Sequence, residues 1–215
     1  MPVGDFVADK WQDILFRSFQ HLSLVVQSVL LATIIAIALA VLVTRVPRLK
    51  PAANMLSAIG LTIPSFALLG LLLPLVGIGA LPSVIAVTFY ATLPILRNAV
   101  VGLSGVSPTL LESAKGMGMG STARFLRVQL PMAWPVIMAG LRVSAQMSMG
   151  VAAIAAYALG PGLGPYIFTG LAQIGGANAL NYALVGTLGV VVLALLLDAA
   201  LLLVSRLTTS KGIRA

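Results

Sequence analysis

The chain has 215 residues, of which 60% are hydrophobic and only 8% charged, against about 25% charged in ordinary soluble domains. Its mean hydropathy of +1.08 marks an integral membrane protein, and its net charge of +8 comes without the aromatic-interleaved basic patch that nucleic-acid binding needs. There is no cysteine, which excludes disulfides, thiolate metal sites and cysteine nucleophiles.

Taken in chain order, residues 3–20 place Val3, Phe6, Val7, Trp11, Ile14, Leu15 and Phe19 near helical spacing. This reads as an amphipathic helix lying on the outer membrane surface, residues 1–21, with a frayed N-terminal extension as the alternative. Asp5, Asp9 and Asp13 give it the wrong charge for a secretory leader. Five runs then reach the length of about 20 apolar residues that a helical span requires. They cover residues 22–43, 52–76, 81–103, 134–159 and 182–204. Pro64 and Pro74 fall inside the second run and Pro94 inside the third, so these two are expected within a bundle, where neighbours satisfy the freed backbone groups.

Loop charge sets the orientation. Arg45, Arg48 and Lys50 lie between the first two spans, Arg97, Lys115, Arg124 and Arg127 around the third connection, and Arg206, Lys211 and Arg214 after the fifth. Residues 77–80 and 160–181 carry no charge. The positive-inside rule therefore puts the N-terminus outside and the C-terminal tail, residues 208–215, in the cytoplasm. The permease body would occupy residues 22–207.

The cytoplasmic segment 107–131 stands apart from these runs. Ser107 and Pro108 form a helix start, a cap followed by proline at the first position. A short helix over 109–117 carries Glu112 in its first two turns, where the dipole favours an anion. Gly116, Gly118 and Gly120 end it. Ser121 is expected to cap a second helix over 122–130, with Arg124 and Arg127 on one side and Pro131 as its stop. The outcome is a helix-turn-helix on the cytoplasmic face, with small residues Ser113, Ala114 and Gly118 where a partner's backbone can approach.

Here the residues resemble a known family. Glu112, Ala114, Gly118, Leu130 and Pro131 match the E-A-A loop of ABC-importer membrane subunits, with Ser113 replacing an alanine. The resemblance implies that Glu112, Ser113, Ala114, Gly118, Leu130 and Pro131 belong to the coupling segment that docks into a cytoplasmic ATPase. Four further stretches, "LTIPSFALLGLLLPLVGIG" (61–79), "YATLPILRNAVVGLSGVSP" (90–108), "AKGMGMG" (114–120) and "AAYALGPGLGPYIFTGL" (155–171), are similar to the osmoprotectant permeases, which serve importers of glycine betaine, choline and carnitine. Methionine-importer permeases share the layout, but would have an arginine just before the "IP" of the second span, where this chain has "LTIP".

What the resemblance implies is an all-α, five-span permease of the type I importer fold in a bacterial or archaeal inner membrane. It would pair with a second permease chain, alike or different, with two cytoplasmic ATPase subunits and with an extracytoplasmic substrate-binding protein, amid membrane lipid and without nucleic acid. The chain has no phosphate-binding G-x-x-x-x-G-K-[ST] loop. ATP and magnesium are thus expected in the partner ATPase, with no cofactor and no enzymatic activity in this chain.

Asp198 is the only acid inside a span, and an ion pair with Arg142 is expected to lock spans four and five. Phe66, Tyr90 and Tyr157, with Phe89 and Tyr166 behind them, are candidates to line a cation's route, though span aromatics also serve as packing or interface anchors. The outer loop "GPGLGP" (160–165) is either a simple turn or a contact for the binding protein. The "GLSG" at 102–105 resembles the serine motif of rhomboid proteases, but Ser104 and the sole histidine, His21, fall near opposite faces of a bilayer about 30 Å thick. A self-sufficient channel or secondary carrier is the other rival, disfavoured by the lack of an intramembrane charge relay.

Overall fold

The computed structural model describes residues 1–210 and 212 and is built of helices, with no strand among the described residues. The elements are α1 (Val3–Arg45), a 3-10 turn (Pro47–Leu49), α2 (Lys50–Thr62), α3 (Ser65–Val76) and α4 (Ala80–Ser104). The cytoplasmic α5 (Pro108–Gly116) and α6 (Ser121–Arg124) follow, then a π turn (Phe125–Gln129), α7 (Leu130–Ile154) and a 3-10 turn (Ala155–Ala158). The chain closes with α8 (Gly164–Ala172) and α9 (Ala179–Thr208). Four helical stretches are long and apolar enough to cross a membrane, and α2 with α3 makes a fifth when the bent pair is counted as one broken span.

The centre of the bundle is α1, α4 and α7, packed through small side chains. Ala32, Ala36 and Ala40 make a fully buried stripe on α1, and Ala91 and Ala99 do the same on α4. Membrane helices gain little from excluding lipid, so close contact of backbones takes over as the driving force. At Gly140 of α7 a Cβ would lie only 2.5 Å from that of Asn98 on α4, so this crossing admits glycine alone. Helix α4 runs on through Pro94, and three residues before it the hydroxyl of Ser144 on α7 donates to the carbonyl of Ala91 at 2.7 Å and ties the two helices together.

Pro64 behaves differently. Proline forces its predecessor out of the helical region, and Ile63 is extended at φ −65°, ψ 124°. The second span is therefore broken, with α2 and α3 meeting at 92°. The phenol of Tyr90 donates to the freed Ile63 carbonyl at 2.5 Å and holds the break in place.

Three other expectations are corrected. Residues 1–21 do not form a separate surface helix; α1 is one helix of 43 residues, because no glycine or proline interrupts the chain around residue 21. At 1.5 Å per residue it is about 64 Å long, roughly twice the hydrocarbon thickness. Its first turns lean on α9, where Phe6 meets Tyr182 edge-on at 4.8 Å and Asn181 donates to the Met1 carbonyl at 2.9 Å. Second, α8 lies within the stretch expected to be an outer loop. Third, Pro131 does not stop the second cytoplasmic helix. The chain stays helical from Ser121 to Ala158, 38 residues, and the wider π turn just before Pro131 absorbs the missing N–H and the bulk of the ring.

Candidate functional site

The cytoplasmic knuckle is built by backbone chemistry. Helix α5 starts at Pro108, with the Ser107 carbonyl accepting from the N–H groups of Leu110 and Leu111 at 3.1 and 3.2 Å. Neither Ser107 nor Ser121 caps with its side chain; Gly120, not Ser121, holds the cap position of the second helix. The helix ends in a Schellman turn. Gly118, at φ +81°, donates to the Lys115 carbonyl at 3.0 Å, and Met119 donates to that of Ala114 at 3.1 Å. A Cβ at Gly118 would meet nothing within 4 Å, so the glycine is required by its backbone angle rather than by crowding.

The six motif residues divide into two groups. Glu112, Ser113 and Gly118 are exposed on the knuckle, while Ala114 is buried beneath it. Leu130 and Pro131 lie on the far side of the π turn, at the start of α7, and Leu130 packs against the bundle core. Gln129, which the sequence did not single out, ties this shaft to α4 by donating to the Leu103 carbonyl at 3.1 Å. Lys115, Arg124 and Arg127 of the knuckle and its shaft, and Arg45, Arg48, Lys50 and Arg97 elsewhere on the chain, form no ion pair among the described residues, and neither does Glu112. Lys211 and Arg214 lie outside the described residues.

Within the spans, Arg142 of α7 and Asp198 of α9 come together as expected. Arg142 Nε and Nη2 each donate to one oxygen of Asp198 at 2.8 Å, the fork-to-fork geometry that suits guanidinium and carboxylate. Nearer the cytoplasmic edge, Trp134 Nε1 donates to Thr208 Oγ1 at 2.7 Å and joins the same two helices.

The candidate aromatics separate into three groups. Tyr90 is buried, meets Phe89 edge-on and spends its hydroxyl on Ile63. Tyr166 stacks near Tyr182 and donates to Asp13 Oδ2 at 2.6 Å, while Arg17 grips the same carboxylate at 2.9 and 3.0 Å. Burial, with Asp13 as neighbour, pushes the Tyr166 phenol above its ordinary range. Phe66 and Tyr157 do meet, with centroids 4.4 Å apart, and Phe168 joins them.

His21 and Ser104 are not brought together. His21 is fully buried, with Nε2 donating to the Met149 carbonyl at 3.2 Å and Nδ1 accepting the Leu163 N–H at 3.3 Å. Both ring nitrogens are satisfied in one neutral tautomer. Gly162, at φ +123°, lets the outer loop close over this ring. Ser104 is exposed at the cytoplasmic end of α4.

A glycine-ended knuckle below a five-crossing bundle, linked without interruption to a span, is the architecture of a transporter's membrane subunit. The chain belongs to the family of binding-protein-dependent transport system inner membrane components, whose profile matches residues 14–210. It is 36% identical over 214 residues to the choline transport system permease protein OpuBB of Bacillus subtilis, covering 99% of this chain and 96% of that one. It is 37% identical to the glycine betaine/carnitine/choline permease protein OpuCB of the same organism, with 97% and 94% covered. With the osmoprotectant import permease protein OsmW of Salmonella typhimurium the identity is 40%, with 92% of each covered. In fold it is similar to a chain of the inward-facing MetNI methionine ABC transporter, with a TM-score of 0.76 at 24% identity over 92% of this chain and 96% of that one.

Proposed function

We infer that this chain is the permease subunit of an ATP-driven importer for quaternary-amine osmoprotectants such as glycine betaine, choline or carnitine. The observation that carries the reading is end-to-end similarity to permeases of that kind at 36–37% identity, with the glycine knuckle at its expected place. The methionine alternative is supported by fold alone. Exposed Glu112, Ser113 and Gly118 would seat in a cleft of the cytoplasmic ATPase, with Ala114 shaping the knuckle from beneath, and Leu130 and Pro131 would pass its movement into α7.

ATP and magnesium belong to that ATPase, and this chain takes no cofactor. A second permease chain completes the passage, and a binding protein delivers substrate to the outer face. The unpaired cations at the knuckle support a cytoplasmic location for it, with the N-terminus outside. The test is uptake of labelled glycine betaine at high osmolarity in the native host with and without the gene. Loss of uptake, restored by the wild-type gene, is the expected result; unchanged uptake in a host freed of other betaine carriers would overturn the substrate.

A further inference from the structure

Three rings from three separate elements meet near the broken span. Phe66 lies in the first turn of α3, Tyr157 in the 3-10 turn after α7, and Phe168 in α8. Their centroids are 4.4 and 6.0 Å apart, at interplanar angles of 47° and 53°. Rings so tilted do not cover one another, and Phe66 and Tyr157 stay 45% and 58% exposed. Elsewhere the chain fills such faces with its own cations: Lys10 lies over Phe6 and Tyr182, and Arg17 over Tyr166. Among the described residues, no cation occupies Phe66, Tyr157 or Phe168, and the Tyr157 hydroxyl has no hydrogen-bond partner.

The chemistry of a quaternary ammonium fits these exposed ring faces. The group carries a full charge but no N–H, so it gains nothing from hydrogen-bond acceptors and most from aromatic faces. The neighbourhood is also the one where transporters place their sites, beside a discontinuous helix, here two residues past Pro64. We propose that Phe66, Tyr157 and Phe168 form a transit site that receives the substrate's quaternary ammonium by cation–π attraction as it crosses; this rests on the osmoprotectant reading. Attraction of this kind is modest, which suits a station that must release its cargo. An interface anchor would instead rely on the Tyr157 hydroxyl and be indifferent to the substrate.

The test uses the complete transporter, permease with its ATPase and binding protein, reconstituted in liposomes with internal ATP. Uptake of labelled glycine betaine and ATP hydrolysis are measured for wild type, Tyr157→Phe, Tyr157→Leu and Phe66→Leu. Tyr157→Phe is expected to stay within about twofold of wild type, whereas each leucine variant loses roughly tenfold in uptake with hydrolysis within about twofold. Phe66→Trp, which restores a ring, guards against a folding artefact by recovering transport. Wild-type uptake by the leucine variants, or a Tyr157→Phe loss as large as that of Tyr157→Leu, would overturn the transit site alone. A wild-type transporter that moves no quaternary amine would overturn the substrate reading and the site with it.

Discussion

The two faces of this molecule treat their polar groups in opposite ways. At the end that holds α8, Asp13 accepts from both Arg17 and Tyr166, Arg17 also lies over the Tyr166 ring, Lys10 is spread over two rings, and His21 satisfies both nitrogens on backbone groups. At the knuckle, Lys115, Arg124, Arg127 and Glu112 stand without ion pairs among the described residues. The knuckle has a defined backbone and exposed charges without partners among the described residues, as the proposed docking element would.

That contrast can be broken by substitution, most strongly at the knuckle. Gly118→Val places a β-branched residue at a left-handed angle that disfavours side chains by about 1–2 kcal/mol. Uptake should fall by at least roughly tenfold once the turn is reshaped, while membrane insertion and ATP hydrolysis persist. Full transport by this variant, measured in the reconstituted complex, would remove the coupling role. Asp198→Asn should come next, leaving Arg142 unpaired at a cost of about 3 kcal/mol, read as a fall in the thermal midpoint of the detergent-purified protein. The double variant Arg142→Gln with Asp198→Asn should regain most of that loss, whereas an equal loss in both would show that the pair does not lock the helices.

The outer face offers smaller effects that sharpen the comparison. His21→Leu strands the Leu163 N–H and should destabilise by about 2 kcal/mol. Tyr166→Phe keeps the ring against Tyr182 but removes the bond to Asp13, at about 1 kcal/mol by the same thermal measurement. Neither should alter the ATP consumed per substrate carried. A change in that ratio would mean that the outer network is part of the moving machinery rather than a finished surface.

The spans were legible because length and hydropathy decide them, and the ion pair because an acid in a span must find a cation. The knuckle was legible from its glycines: the spacing located Gly118 before any contact was known. What sequence could not reveal was which proline would break its helix. Pro64 and Pro94 both sit in apolar runs, yet α4 continues through Pro94, while the chain breaks at Ile63, whose carbonyl takes the phenol of Tyr90 from 27 positions later. The same holds for Phe168, which joins Phe66 and Tyr157 only after the chain has folded back twice. Helix α8 was missed because its nine residues follow Gly160, Pro161 and Gly162 and begin with Gly164 and Pro165, which reads as a loop when no partner is in view.

The unbroken path from Ser121 to Ala158 has a mechanical meaning. It is a rod of about 57 Å, with the knuckle joined to one end and Tyr157 carried near the other. Tilted by about 5° around its middle, such a rod moves each end about 2.5 Å, in opposite directions. The packed glycine contact at Gly140 lies near that middle and can serve as the pivot. The two ends of this lever would then trade displacement one for one, and a seat closing below would shift an aromatic face above with no loop between them to absorb the motion.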